Sequence, residues 1–184
     1  MRSFLRKPLP RWQIALEMLA LGFVLAIICG AAFIYTGAYD VAATHRHWPF
    51  TEWILDTARI QSIKSHAADT QVPPGLDDRA KLVMGVEHFA AHCAVCHGAP
   101  GVPKGDIAKG LYPPSPDLAV NGTRYTEAEL FWIIKHGIKM TGMASYGAVH
   151  KDDEIWNLVA FVQRLPKMTP AQYGQMEQAA AGAH

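Results

Sequence analysis

The sequence predicts an all-α domain behind one N-terminal membrane helix, and three observations predict it. A long apolar run opens the chain, the remainder carries apolar residues at helical spacing with capping residues in front of them, and no stretch alternates apolar with polar for more than a few positions. The 184 residues, 50% hydrophobic and 18% charged, suit one ordinary domain with some length left over. That charged share lies below the ~25% usual for soluble domains, as expected when a segment leaves water. With 17 Lys and Arg against 16 Asp and Glu, the net charge of +1 lacks the positive excess that a phosphate backbone demands, so nucleic acid is excluded as a partner.

Residues 1–36 read as a basic segment followed by a transmembrane anchor. From Ile14 to Ile34 runs a 21-residue apolar stretch broken only by Glu17, and at a rise of ~1.5 Å per residue it spans ~30 Å of hydrocarbon. Arg2, Arg6, Lys7 and Arg11 precede it without an acidic partner, whereas the ten residues after Ile34 hold Asp40 and no Lys or Arg. The positive-inside rule then places the N-terminus in the cytoplasm and everything after about Tyr39 outside. The run exceeds the h-region of a signal peptide, and no convincing small-x-small cleavage site precedes Tyr35, so the anchor is expected to be retained. Ile27 and Ile28 in front of Cys29 argue against lipid modification, and Glu17 can snorkel or pair with Arg11. The lipid bilayer is the first expected partner.

Residues 37–76 are expected to connect the anchor to the domain. Thr51 can cap a helix containing Ile54, Leu55, Ala58, Ile60 and Ile63, which Val72-Pro73-Pro74-Gly75 ends. Trp48 and Trp53 suit either a membrane interface or a partner subunit, so this amphipathic helix is expected to lie apart from the core that follows. Within residues 77–165, Asp77 or Asp78 caps a helix from Arg79 to about His92. Thr126 and Glu129 form a capping box for a second helix stopped at Gly137, and Asp152 or Asp153 caps a third ended by Pro166. Residues 166–184, polar and rich in Ala, Gly and Gln, read as a tail, loosely ordered or draped over the surface.

The chemistry lies in Cys93-Ala94-Val95-Cys96-His97, at the end of the first helix of the domain. Positions three and four apart share a helix face, so both thiols and the imidazole can approach one planar ligand together. C-x-x-C-H is the haem c attachment signature, with Cys93 and Cys96 forming thioethers and His97 ligating the iron. A zinc site would need a second ligand pair, and no other Cys exists outside the anchor. A dithiol redox motif would need a strand ahead of it, yet the preceding pattern is helical. One motif implies one covalent haem, which also completes the core of a small all-α domain with long loops. For the other face of the iron, the loop after the second helix offers Met140 and Met143.

Across residues 77–165 the chain resembles the class I c-type cytochromes. Gly85 and Phe89 stand where that family has its helix-crossing glycine and aromatic, and Trp156 where its last helix supplies the facing aromatic. Pro116-Asp117-Leu118 looks like the family's Pro-x-Leu, which implies that the Pro116 carbonyl accepts the Nδ1 hydrogen of His97. Gly142-Met143-Ala144 is similar to the family's Gly-Met-Pro, with Ala144 in place of proline, and implies Met143 as the second axial ligand. His88, His92, His136 and His150 are expected to be solvated rather than iron-bound. Lys104, Lys109, Lys135 and Lys139 are expected to be scattered solvating charges, with a ring around a haem edge as the alternative.

The resemblance implies a class I cytochrome c fold and a one-electron carrier rather than an enzyme. Its implied setting is the bacterial inner membrane, single pass, with the haem domain in the periplasm. Its implied partners are membrane-bound or periplasmic redox proteins, with the chain as a possible subunit of a larger respiratory or dehydrogenase complex. Two other readings stay open. One is a haem sensor or peroxidase-like enzyme in which the Met ligand dissociates, and the other is an interaction subunit held together by the anchor and the Trp-rich segment.

Overall fold

The computed structural model describes residues 10–121 and 123–182, so the basic residues Arg2, Arg6 and Lys7 lie outside the described residues. Residues 1–45 and 46–184 form two separate units. In the first, α1 (Arg11–Tyr35) is a 25-residue helix with no buried residue, roughly 37 Å long at ~1.5 Å per residue. Its apolar side chains face outward all round, the pattern of a helix whose solvent is not water. By length and composition it can cross a membrane. Thr36 and then Gly37, at φ 66°, end it, and both donate their N–H groups back to its last carbonyls.

The second unit contains α2 (Pro49–Ala67), α3 (Arg79–His92), α7 (Glu127–His136), α8 (Asp152–Arg164) and α9 (Pro170–Ala181). The short helices α4 (Ala94–His97), α5 (Asp106–Lys109) and α6 (Leu118–Asn121) punctuate the loop between α3 and α7. No strand occurs among the described residues, and a single bridge joins Ala99 to Val102. Asp78 caps α3 by accepting from the Ala80 N–H at 2.9 Å, and Thr126 and Glu129 close their capping box on α7. The start of α8 differs from expectation. Asp152 and Asp153 occupy its first turn, where their charge favours the helix dipole, while Glu154 accepts the Lys151 N–H at 2.8 Å.

The core sits where α3 crosses α8. Val86, Phe89, Ile155, Leu158, Val159 and Phe161 are fully buried there, with the Phe89 and Phe161 rings 5.3 Å apart. Gly85 marks the crossing, because a Cβ at that position would stand 2.2 Å from the Asn157 carbonyl oxygen and 2.7 Å from Phe161 Cβ. A methyl group therefore cannot fit unless the helices part. Gly85→Ala is expected to cost at least about 1–3 kcal/mol as overpacking, read as a lower Tm of the haem-loaded chain, and an unchanged Tm would contradict this crossing. On the other side of α8, Trp156 stacks on Phe131 of α7, 4.3 Å apart with planes at 16°.

Two segments expected to lie outside the core belong to this unit. The helix anticipated after Thr51 begins at Pro49, which suits the first helical position, and its Ile63 and Ala67 are buried where α2 packs on α7. Its outer face keeps Trp48 and Trp53 exposed. The stretch anticipated as a tail, loosely ordered or draped over the surface, is an ordered helix laid against the rest, α9, opened by a Thr169–Gln172 capping box with Pro170 in the first turn. Tyr173 and Ala180 on α9 are buried against the α3–α8 pair, the Tyr173 ring 6.3 Å from Phe161. Both additions enlarge a core that α3, α7 and α8 alone would leave thin.

Candidate functional site

The local chain path brings both thiols and the imidazole of the motif onto one turn. Cys93 closes α3 by donating its N–H to the Phe89 carbonyl at 2.8 Å, and its own carbonyl accepts from Cys96 and His97 at 3.1 and 2.9 Å. Gly98, at φ 70°, then turns the chain away, so the helix cannot continue past His97. Cys93, Cys96 and His97 all line one cavity of about 590 Å³, inside the ~300–1,000 Å³ range of ligand pockets. Its walls are apolar for the most part, with Phe89, Leu111, Ile133, Ile134, Leu158 and Val162 among them. Burial pushes the Cys93 thiol up to about 12, against a smaller lowering by the neighbouring Tyr146 hydroxyl.

The loop before α6 fixes the imidazole. Ser115 Oγ donates to the Cys96 carbonyl, Lys104 Nζ donates to the Ser115 carbonyl, and Asp117 caps α6 through the Ala119 and Val120 N–H groups. Between them the Pro116 carbonyl lies 2.9 Å from His97 Nδ1. A carbonyl only accepts, so Nδ1 carries the hydrogen and Nε2 keeps its lone pair. Burial holds the His97 pKa below the ordinary histidine value despite this bond, and Lys104 nearby adds to the lowering. The neutral, oriented imidazole is the form that ligates a metal.

The second candidate ligand comes from the loop after α7, which folds back on itself. Gly137, at φ 65°, leaves the helix where a Cβ would meet the Met143 carbonyl oxygen and the Ala144 carbonyl carbon, each at 2.7 Å. The Met143 carbonyl accepts from the Ile138 N–H at 3.1 Å, and the Met143 N–H donates to Thr141 Oγ1 at 3.0 Å. Gly142 packs so tightly on Leu111 that a Cβ would stand 2.6 Å from Leu111 Cδ2. Met143 is half-buried and packed on the core, whereas Met140, at φ 60°, is 76% exposed. Both line the cavity.

A wall of this cavity went unread in the sequence. His47, Glu52, Leu55, Asp56 and Arg59, from α2 and the residues before it, line it as well. The His47 N–H donates to the Tyr112 hydroxyl at 3.0 Å, joining this wall to the opposite loop. Arg59 pairs with Asp56 at 3.1 Å, but its buried Nε has no hydrogen-bond partner. Arg59 also lines the cavity, and a guanidinium there suits an anionic acceptor such as a carboxylate of haem. That guanidinium, the paired thiols, the imidazole and the thioether fit a haem, which Cys93, Cys96, His97 and Met143 would hold. Arg59→Met is expected to leave the haem attached and lower its reduction potential by tens of millivolts, on the order of one charge acting through an effective dielectric of about 20. Redox titration measures this, and an unchanged potential would place the guanidinium outside the haem's field.

The other polar residues singled out in the sequence have different surroundings. Lys104 binds the Ser115 carbonyl, Lys109 pairs with Asp106 at 2.7 Å and Lys135 with Asp152 at 2.7 Å, so these three are tied to local partners; Lys139 lines the cavity. His136 rests against Trp132, with ring centres 5.1 Å apart, while His88, His92 and His150 gather together.

A family profile described as cytochrome c oxidase, cbb3-type, subunit III, matches residues 80–162, from α3 to near the end of α8. A quinohemoprotein alcohol dehydrogenase from Comamonas testosteroni is 26% identical over 132 residues, which cover 69% of this chain and 18% of that protein. The chain thus spans less than a fifth of the length of this relative. No solved structure matches.

Proposed function

We propose that the chain, whose residues 80–162 form a c-type cytochrome domain, is a one-electron carrier held at the bacterial inner membrane by α1, with the domain on the periplasmic side. The observation that carries this reading is the cavity that receives His97 from one wall and Met143 from another, with His97 Nδ1 already committed to the Pro116 carbonyl. Bound there, haem c supplies cycling between ferric and ferrous iron. Cys93 and Cys96 would hold it by thioethers, and His97 Nε2 and the Met143 sulfur would ligate its iron. With both of these ligands supplied by the chain, no iron position would remain for a substrate, so the chain carries electrons rather than transforming a molecule. The apolar walls exclude water from most of the cavity, and the α2 wall covers part of what loops alone would leave open.

In this reading residues 1–36 anchor the chain and residues 77–165 carry the haem, with α2 and α9 packed on them. The likeness to an oxidase subunit and to a quinohemoprotein dehydrogenase supports a place as the cytochrome subunit of, or partner to, a membrane respiratory or dehydrogenase complex. The test is a pyridine haemochrome assay on the purified chain, joined to extraction from membranes in mild detergent. One covalent haem per chain, reduced by the complex that co-purifies with it, is the expected result. Two haems per chain, or none, would overturn the carrier reading, and a chain that leaves the membrane in carbonate would overturn the anchor.

A further inference from the structure

Three histidines stand together outside the ligand set described above. His88 and His92 are four apart on α3 and so share a face. His150, in the turn before α8, comes to meet them, its ring centre 4.9 Å from that of His88 and 5.4 Å from that of His92. One ligand nitrogen from each lies within 4.8 Å of the other two. Nitrogens on a shared zinc at ~2.0–2.1 Å stand roughly 3.4 Å apart in tetrahedral geometry, so the ligand atoms need to close by up to about 1.4 Å, in which the exposed His92 side chain can take part.

The surroundings orient these rings. Tyr146 stacks on His150, 5.8 Å away with planes at 29°, and donates its hydroxyl to the His92 carbonyl at 3.0 Å. Glu154 Oε2 lies 3.4 Å from His150 Nδ1. A carboxylate behind a histidine is the arrangement that fixes tautomer and raises basicity at metal sites. Burial and the neighbouring His150 hold His88 below the ordinary histidine pKa, toward the neutral ligand form.

We propose that His88, His92 and His150 bind one borderline divalent cation, zinc above all, with Glu154 positioning His150. Imidazole suits such cations, whereas calcium and magnesium prefer oxygen ligands. The fourth position stays open to water or to a side chain of a docked partner, as in three-ligand zinc sites. The site borders the haem cavity, which His92 and Tyr146 also line, but takes none of the residues that would hold haem.

Equilibrium dialysis of the haem-loaded full chain in detergent against zinc, with metal per chain read by atomic spectrometry, tests it. One zinc per chain is expected. His88→Ala, His92→Gln and His150→Ala should each weaken binding by more than the ~10–100-fold that loss of an outer partner costs, and Glu154→Gln by about that amount. His136→Ala should leave binding unchanged. No zinc bound by the intact chain, or zinc retained in all three histidine variants, would overturn the proposal. Should a variant lose its haem spectrum, diethyl pyrocarbonate labelling of the unaltered chain decides the matter: zinc protection of the three rings supports the site, and equal labelling with and without zinc overturns it.

Discussion

Replacing both Cys93 and Cys96 by alanine is expected to leave a chain whose haem is removed by acid–acetone and whose second unit loses its fixed tertiary packing. Without the group that fills it, a cavity of about 590 Å³ stands among the helices, and apolar side chains left without packing partners destabilise a core. The apolar residues facing the cavity lie on α3, α7 and α8 at once, so their loss of contact reaches the crossing at Gly85. Near-UV circular dichroism and acid–acetone extraction check this. A variant that keeps a sharp near-UV spectrum without haem would show that the α3–α8 pair, with α2 and α9, suffices as a core.

The motif residues were legible in the sequence because their geometry is local. Cys93, Cys96 and His97 lie within one turn, and hydrogen bonds between neighbours in the chain place them. The same holds for the Asp78 cap and the Thr126–Glu129 box, where a few consecutive residues decide the backbone. What composition hid was burial. Ile63 and Ala67 lie four apart on a helix that also carries Phe50, Trp53, Ile54, Leu55 and Ile60, an apolar set that fits a lipid surface and a protein surface equally well, and only α7 shows which of them it covers. The C-terminal helix had a readable signal in Thr169-Pro170-Ala171-Gln172, a capping box with proline in the first turn, which the polar make-up of the segment outweighed. Arg59 could not be found at all from sequence, since its place in the cavity wall depends on what α2 packs against. The pair His88 and His92 is visible as a helix-face repeat, but His150 joins it only through the fold.

The ligand choice between two methionines three residues apart also depends on the fold, and it yields the sharpest expected contrast. Met143→Ala is expected to abolish the near-infrared Met-to-iron charge-transfer band, admit carbon monoxide to the ferrous haem and lower the reduction potential. The fall should be on the order of 0.1 V or more, a fraction of the ~0.8 V that axial ligation spans. Met140→Ala should keep the band. Both side chains reach the cavity wall, so proximity alone does not separate them. Order does: the Met143 backbone is held at its N–H by Thr141 and at its carbonyl by Ile138, in a loop that Gly137 and Gly142 allow to pack without a Cβ between it and its neighbours. A ligand atom on such a backbone loses little further entropy on binding, whereas Met140, at φ 60° and 76% exposed, would have to be ordered first at a cost of up to about 1.5–2 kcal/mol for its side chain. The opposite pattern of bands would move the ligand to Met140, and a band unchanged in both variants would take the loop out of the iron's coordination altogether.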